Sequence, residues 1–146
     1  MSNADKSPSR AKPTRPAGEP AEWFGDLGLV DLQIDIYERI LARNPNYILV
    51  LRALGELLAL KGRYDRSLEI DRRLVSLAPR DCVARYNLAC ALAVQGAPRQ
   101  AIEELGVAMQ CGYDDFGHLE IDPDLDSIRH LPAYRALLRQ YGIEGE

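Results

Sequence analysis

The chain has 146 residues, 27% of them charged, and a net charge of −4. That length suits one compact domain, and the acidic balance argues against broad nucleic-acid binding, which needs a basic surface to displace counterions. Aromatic residues make up only 7%, so the core must come mostly from Leu, Ile, Val and Ala, which suits an all-α fold.

Residues 1–22 are dominated by Pro, Ser, Lys and Arg and show no apolar periodicity. Such a segment cannot bury enough apolar surface to offset its chain entropy, so a disordered, mildly basic leader is expected. It holds Lys6, Arg10, Lys12 and Arg15 but no apolar stretch, which argues against a secretory signal. The longest apolar run, Ala53 to Leu60, is interrupted by Glu56, so no membrane span is expected and the chain reads as cytoplasmic. Cys82, Cys90 and Cys111 are odd in number and lack metal-ligand spacing. They read as buried or half-buried free thiols.

Trp23 and Phe24 precede Gly25 and Gly28, which disfavour a helix; this segment is expected to lie against the first helix, with Trp23 or Phe24 plugging a groove. Asp31 reads as the N-cap of a helix over 32–43, with Leu32, Ile36, Ile40 and Leu41 at helical spacing and Asn44-Pro45 as its stop. A second helix spans about 48–60 and ends at Gly62. A third begins at Tyr64 and ends before Pro79. Asp81 caps a fourth over 82–94, closed at Gly96, and Pro98 opens a fifth that runs to Met109.

These helices repeat. Leu54, Leu58, Gly62, Ser67, Leu68 and Glu69 recur 34 residues later as Leu88, Leu92, Gly96, Ala101, Ile102 and Glu103. Small residues recur where helices must approach closely and large ones where they interlock, at the period of a helix–turn–helix solenoid. On these positions the chain resembles the tetratricopeptide repeat family. Leu51-x-x-Leu54-Gly55-x-x-Leu58 and Arg85-Tyr86-Asn87-Leu88-Ala89-x-x-Leu92 match the first helix of the family pattern. Ser67, Leu74 and Pro79, then Ala101, Leu105 and Ala108, match the second. Asp71 departs from it, standing where an aromatic is usual, as do Leu74 for Ala and Arg85 for Trp or Leu.

The resemblance implies a short α-solenoid of antiparallel helix pairs. It comprises a half unit at 31–45 and full units at 48–79 and 82–112, within a repeat region over 23–112. Residues 113–146 resemble the closing segment of many bacterial tetratricopeptide chains and read as a cap. In that cap Asp122 and Pro123 start a short helix, and Pro132 starts a last one carrying Tyr134, Leu137, Leu138 and Tyr141 onto the open end of the stack.

No catalytic constellation emerges, and the chain reads as no enzyme. Asp122, Asp124 and Asp126 have the opening spacing of a calcium loop, but Ser127 and Ala133 stand where it needs Gly and Glu. His118 and His130 match no zinc spacing, although His118, Asp122 and Asp124 could converge. Neither a metal nor a cofactor is expected. The resemblance instead implies a concave groove lined by Leu49, Arg52, Ala53, Glu56, Val83, Tyr86, Asn87 and Cys90, which would bind a peptide or protein. In it Asn87 would hold a ligand's backbone, an amide being both donor and acceptor. A carboxylate clamp of the kind some members use is not matched: Arg52 and Asn87 are present, but Glu56 is close by and the other basic positions are missing. The alternative is a self-associating module, a homodimer formed through the incomplete first repeat at Leu32, Ile36 and Ile40.

Overall fold

The computed structural model describes residues 24–143, with side chains from residue 28 onward. The expected leader, Trp23 and the side chain of Phe24 lie outside the described residues. The described chain is all helical. Helix α1 spans Phe24–Arg43, α2 Ile48–Leu60, α3 Tyr64–Leu77, α4 Cys82–Val94, α5 Pro98–Gln110, α6 Phe116–Ile121 and α7 Pro132–Gln140, with a 3-10 turn at Pro123–Leu125.

Helices adjacent in sequence pack on one another from α1 through α5; the 3-10 turn then packs on α4 and α7 on α5. The core is a column of small and aliphatic side chains: Leu51, Leu54 and Leu58 of α2, Ile70 and Leu74 of α3, Ala84, Leu88, Ala89 and Leu92 of α4, and Ala101, Leu105 and Ala108 of α5. The 34-residue spacing survives as geometry. Helices α2 and α4 both have 13 residues and end alike. Gly62 (φ 77°) and Gly96 (φ 83°) adopt the left-handed region, and the amides of Arg63 and Ala97 reach back to the carbonyls of Leu58 and Leu92 at 2.8 and 2.9 Å. These bonds satisfy carbonyls that a helix end would otherwise leave unpaired.

Two sequence departures find a local reason. A Cβ on Gly55 would stand 2.6 Å from Oδ1 of Asp71, and Asp71 is buried. The glycine of α2 thus makes room for a carboxylate where an aromatic ring was expected on α3. Arg85, standing where Trp or Leu was expected, lies along the α4–α5 seam, donating to the Pro79 carbonyl at 3.0 Å and to Glu104 at 2.9 Å.

The first helix differs from the sequence expectation. It begins at Phe24 and runs for 20 residues through Gly25 and Gly28, so Asp31 is not an N-cap. Tertiary contacts outweigh the glycine cost: Val30 packs on the core, and the Asp31 carboxylate meets Lys61 and Arg63 at the α2–α3 turn, both at 3.3 Å. Further along, Glu38 takes a two-pronged contact from Arg66 at 2.6 and 3.0 Å, tying α1 to α3. That hydrogen bonding holds the Glu38 carboxyl below its ordinary range against the opposing effect of burial.

Backbone chemistry gives a test of opposite signs. Gly96→Ala forces a Cβ into the left-handed region and should lower stability by about 1–2 kcal/mol. Gly28→Ala sits inside a helix with open space around it and should raise stability by up to about 1 kcal/mol. Urea denaturation followed by circular dichroism measures both.

Candidate functional site

The expected groove residues divide into two groups. On α2, Leu49 is 69% exposed and Leu60, further along the same helix, is 39% exposed; Glu56 between them is exposed and Ala53 half-buried. Arg52 is half-buried and reaches across to Asp81 at 2.6 Å. On α4 only Val83 retains partial exposure, while Tyr86 and Cys90 are fully buried and Asn87 nearly so. The expectation that these three line an open groove is therefore corrected: all three are buried, and Tyr86 and Cys90 meet Asp122 of the C-terminal segment.

The covering contact centres on one carboxyl group. Asp122 is 1% exposed. Its Oδ2 accepts from the Tyr86 hydroxyl at 2.6 Å and from the Cys90 thiol at 3.6 Å, and His118 Nε2 lies 3.3 Å away. Its Oδ1 accepts from the backbone N–H of Asp124 at 2.9 Å, which fixes the turn that Pro123 opens. Arg129 donates to the carbonyls of Leu119 and Asp122 at 2.9 and 2.7 Å. Around these polar bonds Leu119, Leu125 and Ile128 are buried. The Tyr113 ring stacks flat on Tyr86, centroids 4.4 Å apart and planes 4° apart. Burial first, and the facing thiol and carboxyl with it, push the Tyr86 hydroxyl far above its ordinary range, so it remains a proton donor to Asp122.

Cys90 Sγ and a carboxylate oxygen from each of Asp122 and Asp124 lie within 4.8 Å of one another, close enough to share an ion. The oxygens of Asp122 are already engaged by Tyr86, Cys90 and the Asp124 amide, so the cluster is accounted for as the bond between cap and helix. His118 and Asp122 do converge, as the sequence allowed. Asn87 Oδ1 is buried and has no hydrogen-bond partner. It is not placed to hold a ligand from solvent in this arrangement. None of the three cysteines is in a disulfide.

Other sequence expectations hold in detail. Asp81 caps α4, its Oδ1 accepting from the amides of Val83 and Ala84 at 3.1 Å each. Asp122 caps the 3-10 turn. Tyr134 and Leu138 of α7 are buried, although Tyr141, expected on the stack, is 39% exposed. On α1, Leu32 and Ile36 are exposed, while Ile40 is only partly so and packs on the core. The hub of Tyr86, Cys90 and Asp122 is not evident from sequence. Its one available signal is three polar-capable residues on a single face of α4 opposite an acidic, proline-containing turn.

No protein-family model matches the chain. It is 30% identical over 83 residues to a chloroplastic protein of Arabidopsis thaliana, a stretch covering 55% of this chain and 25% of that protein. The chain thus spans about a quarter of the length of the curated relative it matches. Among the described residues no helix is long and apolar enough to cross a membrane.

Two consequences of the site chemistry are measurable. Asp122→Ala strands the buried Tyr86 hydroxyl and should cost about 2–4 kcal/mol. Tyr86→Phe keeps the ring stack but removes one donor and should cost about 1–2 kcal/mol. Limited proteolysis across 110–132 should report cap release in the first variant before the second. Asp81→Ala should cost about 1 kcal/mol at neutral pH through loss of the cap. Burial opposes ionisation of Asp81, yet the Arg52 hydrogen bond and the α4 amides outweigh it and hold its pKa below the ordinary value. Its contribution is present above the unfolded-state pKa of about 3.9 and is lost as pH falls through the lower folded-state value. The stability gap between wild type and Asp81→Ala should therefore close below about pH 4.

Proposed function

We infer that the protein is a protein-interaction module of tetratricopeptide type, a short stack of paired helices that binds a peptide or protein segment along its inner row of side chains. The observation that carries this is an equivalence between α4 and α2. At the 34-residue spacing Val83, Tyr86, Asn87, Cys90 and Val94 correspond to Leu49, Arg52, Ala53, Glu56 and Leu60. The row on α4 already carries a bound segment, the chain's own α6 and 3-10 turn. On α2 the matching row has two large exposed leucines, an acidic side chain between them, and an arginine steadied by Asp81. Its chemistry suits a segment that supplies apolar side chains for Leu49 and Leu60 and a basic one for Glu56.

The role we assign is binding, since the buried cluster of Tyr86, Cys90 and Asp122 holds the cap. Three cysteines outside any disulfide suit a reducing compartment, and we assign the protein to the cytoplasm on that basis.

Panning a displayed peptide library against the full chain tests the assignment. Enriched peptides should carry an apolar–basic pattern and should bind Leu49→Asp/Leu60→Asp roughly tenfold or more weakly, with the circular dichroism of the variant unchanged. Enriched peptides that bind the variant as well as the wild type, or no enrichment at all, would remove α2 as the binding face. Asn87→Ala should not weaken a peptide held on α2, because Asn87 is buried and belongs to α4.

A further inference from the structure

Helix α1 has two apolar faces. Ile34 and Leu41 are buried against the core, with Val30, Tyr37 and Ile40 partly buried beside them. On the opposite side Leu29, Leu32 and Ile36 are 60%, 52% and 44% exposed. They are spaced by three and four residues and so form one stripe. At the other end of the molecule the 3-10 turn packs on α4 and α7 on α5, and His118 of α6 lies against Tyr86.

Between Ser2 and the start of α1 the sequence offers one large apolar side chain, Trp23, to cover this stripe. Between Ser2 and Glu22 there is no Leu, Ile, Val, Met or aromatic residue, and Pro8, Pro13, Pro16 and Pro20 interrupt it. The stripe also carries charge in a polarised pattern. Leu32 and Ile36 are continued at helical spacing by Arg39 and Arg43, whereas Asp35 and Asp31, the latter also meeting Lys61 and Arg63, lie beside the stripe in its N-terminal half. The Arg39 side chain is 79% exposed, with Asp35 as its neighbour at 3.1 Å.

We propose that the outer stripe of α1 binds a second copy of this chain, with the two α1 helices antiparallel across a two-fold axis near Ile36. Antiparallel pairing lays Arg39 and Arg43 of each copy along the N-terminal half of the other, where Asp31 and Asp35 lie. Their aliphatic stems cover Leu29 and Leu32. Parallel pairing would set both arginines against their own equivalents, which like-charge repulsion disfavours. The same patch serves both copies, so the contact closes as a dimer and does not propagate.

Sedimentation equilibrium of the full chain, from micromolar to hundreds of micromolar, tests the proposal. A dimer is expected, and Leu32→Glu/Ile36→Glu should raise its Kd by at least about 30-fold without loss of helical signal. Should that variant unfold, Arg39→Glu/Arg43→Glu, which changes only exposed side chains, should weaken the dimer in its place. Orientation is read from oxidative cross-linking with peptide mapping. Ile36→Cys should form a disulfide with its own equivalent, whereas Arg43→Cys, about 20 Å from its equivalent at 1.5 Å rise per residue, should not. A wild-type chain monomeric at every concentration, with the stripe covered in cis or left open, would overturn the proposal. So would a dimer indifferent to both double variants, or one that cross-links at Arg43→Cys as readily as at Ile36→Cys.

Discussion

The 3-10 turn is set on α4 by what Asp122 touches. A carboxyl group withdrawn from water must recover its hydration as hydrogen bonds, and one left unpaired in an apolar surrounding would cost several kcal/mol. Asp122 recovers it from a tyrosine hydroxyl, a thiol and a backbone amide. These donors come from two turns of α4 and from the residue two places on. The first two tie the C-terminal segment to α4, and the third shapes the turn that carries Asp122. The apolar side chains Leu119, Leu125 and Ile128 supply the area removed from water, which is the larger and less directional part of the free energy. The polar bonds select the position; the leucines and the isoleucine hold it.

That arrangement explains why α4 and α2 differ in composition though they share length, helix ends and spacing. From Tyr86 to Ala93 every residue of α4 is buried, because α3, α5 and the 3-10 turn all press on it. A helix packed on all sides needs small side chains where backbones come close, and Ala84, Ala89, Ala91 and Ala93 provide them. Helix α2 is pressed by α1 and α3 and keeps one face outward. On that face lie Leu49, Glu56 and Leu60, and Glu56 could not occupy the place of Cys90 under the cap without bringing a second carboxylate to Asp122.

Much of the fold is legible in the sequence because its signals are local. Gly62 and Gly96 mark helix ends through backbone freedom, Asp81 marks a start through its side-chain oxygen, and the apolar spacing of α2 to α5 sets their buried faces. What is not legible depends on distant partners. The extension of α1 to Phe24 rests on Asp31 finding Lys61 and Arg63, far along the sequence, and on Val30 reaching the core, contacts no propensity encodes. The burial of Tyr86 and Cys90 has the same origin. Their shared helical face follows from spacing, but what lies over it is decided by Asp122, 36 residues beyond Tyr86. An open groove follows only by analogy with an uncovered row, and the chain closes half of that row itself.

The contrast between Tyr86 with Cys90 on one row and Arg52 with Glu56 on the other carries a meaning for assembly. Two nearly equivalent platforms compete for one closing segment during folding, and a repetitive chain is exposed to docking that segment one unit too early. At the earlier platform Asp122 would meet a carboxylate at position 56 in place of a thiol, and an arginine already engaged by Asp81 in place of a phenol. The mismatch makes the wrong register costly before any large apolar contact forms. The identities at these two pairs of positions therefore act as a register code, telling an otherwise repetitive chain which helix receives its closing segment.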